Sequence, residues 1–123
     1  MEIEKYNSLG FRQISQKFGL DFLVLFGSRS NRLANEMSDC DIGYVSDMNI
    51  DITIEHQIVE RLKKEFNSPK IDLINLRRAS PLLAKKALFD GKLIVENTNH
   101  SFAKEQIRSY HHYVETKSLR SLR

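Results

Sequence analysis

The chain has 123 residues, a length that suits one core and leaves no room for a second domain of usual size. Its 41% hydrophobic and 28% charged residues, with two prolines and five glycines, describe a globular domain; they exclude disordered, collagen-like and low-complexity classes, and no apolar run approaches the roughly 20 residues of a membrane span. The net charge of +3 is accounted for by Lys117, Arg120 and Arg123 at the end of the chain, so the body is near neutral and offers no broad basic face to nucleic acid.

The first ten residues, MEIEKYNSLG, hold no apolar h-region, and no secretory signal is expected. Ser8 to Phe18 reads as a helix with Phe11, Ile14 and Phe18 on one face and Gly19 as its stop. Asp21 to Phe26 is a nearly continuous apolar run, expected as a buried strand. Ser28 to Asn35 is polar and helix-permissive, enough for a turn or two. Asp39 to Val45 alternates with period two and reads as a second strand. Ile52 to Phe66 is an amphipathic helix with Ile58, Val59, Leu62 and Phe66 on its apolar stripe. Lys70 to Leu76 is a third alternating strand. Ser80 as N-cap, Pro81 at the first position and Gly91 as the stop bound a helix ending at Asp90. Lys92 to Val95 is a short fourth strand. His100 to about Lys117 is a last helix, with an apolar series at Ala103, Ile107, Tyr110 and Val114.

Alternating helices and strands predict an α/β (α+β) domain: a small mixed sheet of about four strands with helices packed on one face. Residues 1–116 form this domain and 117–123 a basic tail. The one cysteine, Cys40, cannot form an internal disulfide, which points to a reducing cytoplasm. Its alternation with two aspartates turns it to the other side of its strand, as a buried thiol. His111 and His112 are adjacent, about 100° apart on a helix, and make a poor metal pair. They read as surface or interface histidines, as do His56 and His100.

The chemistry concentrates in three acidic positions. Asp39 and Asp41 are two apart in an extended segment, so their carboxylates leave one face of the sheet. Asp72 lies in the third strand between Ile71 and Leu73. If Cys40, Ile42 and Tyr44 face the core with Ile71 and Leu73, all three aspartates share the opposite face. Three converging carboxylates repel unless cations neutralise them. Magnesium takes a few carboxylates together with substrate phosphate oxygens, and two such ions can clamp the entering and leaving oxygens of a phosphoryl-type displacement. Gly27 and Ser28 end a buried strand and open a helix-permissive segment, which suits phosphate binding by backbone N–H groups and a hydroxyl. Arg29 follows and either neutralises phosphate charge or stands in solvent as an ordinary surface arginine.

Gly27-Ser28, ten residues, then Asp39-Cys40-Asp41, with a third aspartate on a later strand, resembles the DNA polymerase β-like nucleotidyltransferase superfamily. The LFGSR leading into the motif and Ser38 before it are similar to the minimal nucleotidyltransferases of the MntA type. That resemblance implies the polymerase β-like nucleotidyltransferase fold and an antitoxin paired with a HEPN-domain ribonuclease toxin. It implies transfer of AMP from ATP to a tyrosine hydroxyl of the toxin, in a hetero-oligomer with it. Asp39 and Asp41 would then hold two magnesium ions, with manganese as a substitute; Asp72 would bind the catalytic metal and help activate the acceptor hydroxyl. Gly27, Ser28 and Arg29 would hold the triphosphate. The sequence departs from the pattern at Gly43 and Tyr44, where aliphatic residues are common, and in the asparagine-richer stretch from Ser30 to Met37. Arg108 precedes His111 and His112 too closely for the toxin's own arginine–histidine signature, so the chain resembles the transferase partner.

Three other functions compete. A non-catalytic antitoxin would neutralise its partner by binding alone and leave the aspartates idle, at an electrostatic cost. A small-molecule adenylyltransferase would carry further domains for its acceptor, which 123 residues do not contain. A nucleic-acid-binding protein is disfavoured by the near-neutral body and the absence of tryptophan.

Overall fold

The computed structural model describes residues 9–27 and 40–117. Along them run α1 (Leu9–Phe18), β1 (Phe22–Phe26), β2 (Cys40–Val45), α2 (Ile52–Phe66), β3 (Ile71–Asn75), α3 (Pro81–Asp90), β4 (Lys92–Glu96) and α4 (Ser101–Glu115). Every expected helix and strand within those residues is present. The helix-permissive stretch Ser28–Asn35 and, apart from Lys117, the expected tail 117–123 lie outside the described residues.

Element ends follow from local chemistry. Asp51 caps α2, its Oδ1 accepting from the Ile54 N–H at 2.9 Å. Ser80 caps α3, its hydroxyl oxygen accepting from the Leu83 N–H at 3.2 Å, with Pro81 opening the helix. Asn67 ends α2 in the left-handed region at φ 50°, and Gly19 does the same after α1 at φ 69°.

The four strands form one mixed sheet in the order β3-β2-β1-β4. β1 is antiparallel to both neighbours, and β2 and β3 are parallel. A parallel pair needs a crossover, and α2 supplies it.

Helices cover both faces of this sheet, which corrects the expectation of helices on one face only. On one side Leu23, Leu25, Cys40, Ile42 and Tyr44 pack against α1 and α2 through Phe11, Ile14, Ile58 and Leu62. On the other, Phe22, Val24, Phe26 and Val45 pack against Ala87 and Leu88 of α3, with Phe102 of α4 closing the edge. The unbroken apolar run of β1 already carried this signal. All five of its residues are buried, as in a strand sandwiched between two layers, whereas a strand with one wet face alternates.

The last helix is rotated against expectation. Ile107, Tyr110 and Val114 are 61%, 50% and 48% exposed, while Ser101, Glu105 and Ser109 are buried. α4 packs chiefly on α3, and Ala87, Leu88 and Phe102 already fill the groove over β1. A polar seam therefore faces inward. Glu105 sits between Arg77 at 3.4 Å and Arg108 at 3.2 Å. Gln106 Nε2 donates to the Leu88 carbonyl at 2.8 Å, and Glu96 accepts from the Phe102 N–H at 2.8 Å. These bonds fix the rotation of the helix, and geometry overrides its hydrophobic pattern.

Candidate active site

Pairing between β2 and β3 sets Asp41 opposite Asp72 in register. Pairing between β1 and β2 sets Phe26 opposite Asp41, so Gly27 leaves β1 at the same point. Alternate residues of a strand share a face. Cys40 and Ile42 enter the α1–α2 core with Ile71 and Leu73 against it, while Ile74 joins the core under α3. Asp41 and Asp72 thus stand side by side on the α3–α4 face, their backbones about 4.8 Å apart. Asp41 is half-buried and Asp72 exposed. β3 is an edge strand, which leaves Asp72 open to a second molecule. Among the described residues, no lysine or arginine pairs with Asp72.

Gly27 makes room for this pair in a way its sequence role did not reveal. Its φ is +81°, and a Cβ there would run into the Asp41 carboxylate. Only glycine combines that backbone angle with that closeness. Gly43, one of the departures from the family pattern, has a related explanation: a side chain there would collide with Leu76, which covers this part of β2.

Tyr44, the other departure, is fully buried and donates its hydroxyl to Glu55 Oε2 at 2.7 Å. Burial first, and then the Glu55 carboxylate, push its pKa well above the ordinary phenol range. It is a neutral donor locking β2 to α2, and it faces away from the aspartates.

Ser28, Arg29 and Asp39 lie outside the described residues, so the expected trio is represented by Asp41 and Asp72. Among the described residues no group of three or more metal-capable side chains comes together. The pair itself offers hard carboxylate oxygens on an accessible face, a donor set that suits magnesium or manganese. The soft donor nearby, Cys40, is buried in the opposite core, as its alternation with the aspartates required.

The Arg77–Glu105–Arg108 cluster was not foreseen, because nothing in the sequence brings Arg77 against Glu105, 28 positions away. Arg77 also binds Asp47 at 3.0 Å. Burial lowers its proton affinity, but Asp47 and Glu105 more than offset this, and its pKa is raised. A cleft of about 460 Å³ opens beside this cluster, lined among others by Arg77, Pro81, Arg108 and His112. It lies past the C-terminal end of β3, at the opposite end of that strand from Asp72, and does not contain the carboxylate pair. His56, His100, His111 and His112 are exposed, in keeping with their reading as surface residues.

The sequence and the fold both have known counterparts. Residues 12–100 match the polymerase beta nucleotidyltransferase family. The protein adenylyltransferase MntA of Aphanizomenon flos-aquae is 30% identical over 116 residues, covering 86% of this chain and 77% of that protein. That of Shewanella oneidensis is 28% identical over 95 residues, covering 76% and 68%. A solved toxin–antitoxin complex with AMP-PNP contains a chain of TM-score 0.78 at 22% identity, covering 92% of this chain and 91% of that one. A second, of tri-AMPylated Shewanella oneidensis HEPN toxin with MNT antitoxin, gives TM-score 0.74 at 21% identity, covering 99% and 94%. At those identities the structural matches show a shared fold.

Proposed function

The chain belongs to the polymerase beta nucleotidyltransferase family, and on that premise we propose that it is an antitoxin that transfers AMP from ATP to a tyrosine hydroxyl of a partner HEPN-type toxin, silencing it. The observation that carries this reading is the Asp41–Asp72 pair, in register across parallel strands beside a glycine that admits the Asp41 carboxylate. The relatives named as protein adenylyltransferases supply the reaction type, and the solved complex with an AMPylated HEPN toxin supplies the acceptor class.

Asp39, Asp41 and Asp72 would hold divalent metal, two magnesium ions or manganese in their place, which would neutralise the triphosphate and the charge developing on the entering and leaving oxygens. Gly27, Ser28 and Arg29 orient the triphosphate through backbone N–H groups, a hydroxyl and a guanidinium. The tyrosine oxygen forms a bond to the α-phosphorus as the bond to pyrophosphate breaks, and pyrophosphate leaves. Asp72 accepts the hydroxyl proton in this reading, and its exposure on the edge strand supports an acceptor arriving from outside. Residues 1–116 carry this activity, with 117–123 as a basic appendage. Among the described residues no helix is long and apolar enough to cross a membrane; the cytoplasm, which supplies ATP and keeps Cys40 reduced, is the compartment this reading requires.

Calorimetric titration with ATP tests the site. Affinity should tighten with magnesium or manganese and fall with Asp41→Asn. ATP binding that ignores both metal and substitution would count against the assignment.

A further inference from the structure

α4 presents its apolar residues to solvent. Ala103, Ile107, Tyr110 and Val114 recur at spacings of four, three and four, which on a helix is one stripe about 16 Å long. That stripe lies opposite the buried Ser101, Glu105 and Ser109, and the polar seam beneath holds it outward. The Gln106–Leu88 bond sets the outer surface of α4 beside the end of α3 that carries Phe89, 48% exposed, next to Leu93 at the rim of β4, 38% exposed. Together these six side chains expose on the order of 450 Å² of apolar surface, more than half of the ~800 Å² one partner contributes to a standard protein–protein interface. The largest apolar patch on a monomer is of about this size and often functional.

Two features say what covers it. The first is position. Lys92 pairs with Leu25, one residue from the Phe26–Asp41 pair, so Phe89 and Leu93 lie at the catalytic end of the sheet and on the face that carries Asp41 and Asp72. The second is charge. Lys104, Arg108 and His111 line one flank of the stripe with Glu115 among them, all four exposed, and Arg108 also holds Glu105 at 3.2 Å; the flank is basic on balance. In a two-fold pairing of copies through the stripe, antiparallel helices would bring this flank against itself and set Arg108 near its own equivalent, which disfavours a second copy.

We propose that the outer face of α4, continued by Phe89 and Leu93, is the surface on which the acceptor protein docks, through an apolar ridge rimmed by carboxylates. The inference rests on the transfer reading above and deepens it: the partner grips the helical layer on the catalytic face while its tyrosine overhangs the exposed edge at Asp72.

The test uses the full chain with its HEPN-type partner. Ile107→Asp/Val114→Asp should raise the Kd for the partner roughly 30-fold or more. It should raise KM for the partner while leaving the transfer rate at saturating partner unchanged. Both positions are exposed, so its melting temperature should match wild type. Lys104→Glu should weaken binding several-fold, and Ile52→Asp, 82% exposed on α2, should change nothing. If the double variant binds and is saturated like wild type while wild type modifies the partner, the docking surface is wrong and the transfer reading stands. If binding depends on the stripe but wild type transfers no AMP, the surface stands and the transfer reading falls. Wild-type self-association in sedimentation that the double variant abolishes would assign the patch to a second copy and overturn the proposal.

Discussion

Replacing Gly27 by alanine separates the fold from the site. The substitution places a Cβ on a residue at φ +81°, which costs about 1–2 kcal/mol for a non-glycine residue. The new methyl also occupies the position of the Asp41 carboxylate. Because that obstacle is the far end of a side chain and not backbone, Asp41 can turn aside at the cost of its own contacts, and the clash need not add greatly to the folding cost. Melting should therefore fall by roughly 3–12 °C for a domain of this size. Activity should fall much further, since a catalytic group displaced by about 1 Å costs on the order of 100-fold. Far-UV melting and AMP transfer measured on the same preparation give both numbers. A Gly27→Ala protein that melts as expected but transfers AMP within a few-fold of wild type would refute the placement of Asp41 in the reaction.

Other substitutions probe the remaining parts of the account. Asp41→Asn should abolish transfer but leave the metal-free protein equally stable or up to about 1 kcal/mol more stable, because it relieves repulsion with Asp72 across an exposed face; a large loss of melting temperature without metal would mark Asp41 as structural. Tyr44→Phe removes the hydrogen bond to Glu55 and should cost about 1 kcal/mol, since the half-buried Glu55 recovers some hydration. The raised pKa of Tyr44 also gives a sign: its contribution is fully present below the unfolded value of about 10 and is lost as pH rises beyond it. Urea unfolding between pH 8 and pH 11 should therefore show wild type converging on Tyr44→Phe at the alkaline end, and parallel curves would count against it. Glu105→Gln should destabilise by about 1 kcal/mol by loosening Arg77 and Arg108, which are themselves 37% and 62% exposed; an unchanged urea midpoint would show the polar seam to be passive.

Much of this was legible in the residues because local signals agreed with one another. Ser80, Pro81 and Gly91 bounded α3 correctly, and period-two alternation through Cys40, Ile42 and Tyr44 fixed which way Asp41 points. The register of Asp41 against Asp72 then follows from parallel pairing that the sequence implied only through topology. Three features were hidden for identifiable reasons. The second helical layer was hidden because the alternation in β2 and β3 implies one buried face, and only the apolar run of β1, buried at all five positions, spoke for cover on both. The rotation of α4 could not be read from its hydrophobic pattern, because the groove it would have entered is taken by α3 and Phe102. The closeness of Gly27 to Asp41 is a tertiary contact between residues fourteen apart, and the motif spacing names both without placing one against the other.

The most direct test is the intact mass of the HEPN-type partner after incubation with the chain, ATP and magnesium, read together with neutralisation of the toxin in cells. The account predicts one or more AMP additions on a tyrosine with wild type. It predicts none with Asp39→Asn/Asp41→Asn, which should still dock yet protect cells poorly. Full protection by that double variant, with no mass change from either protein, would contradict the enzymatic assignment and establish neutralisation by contact alone.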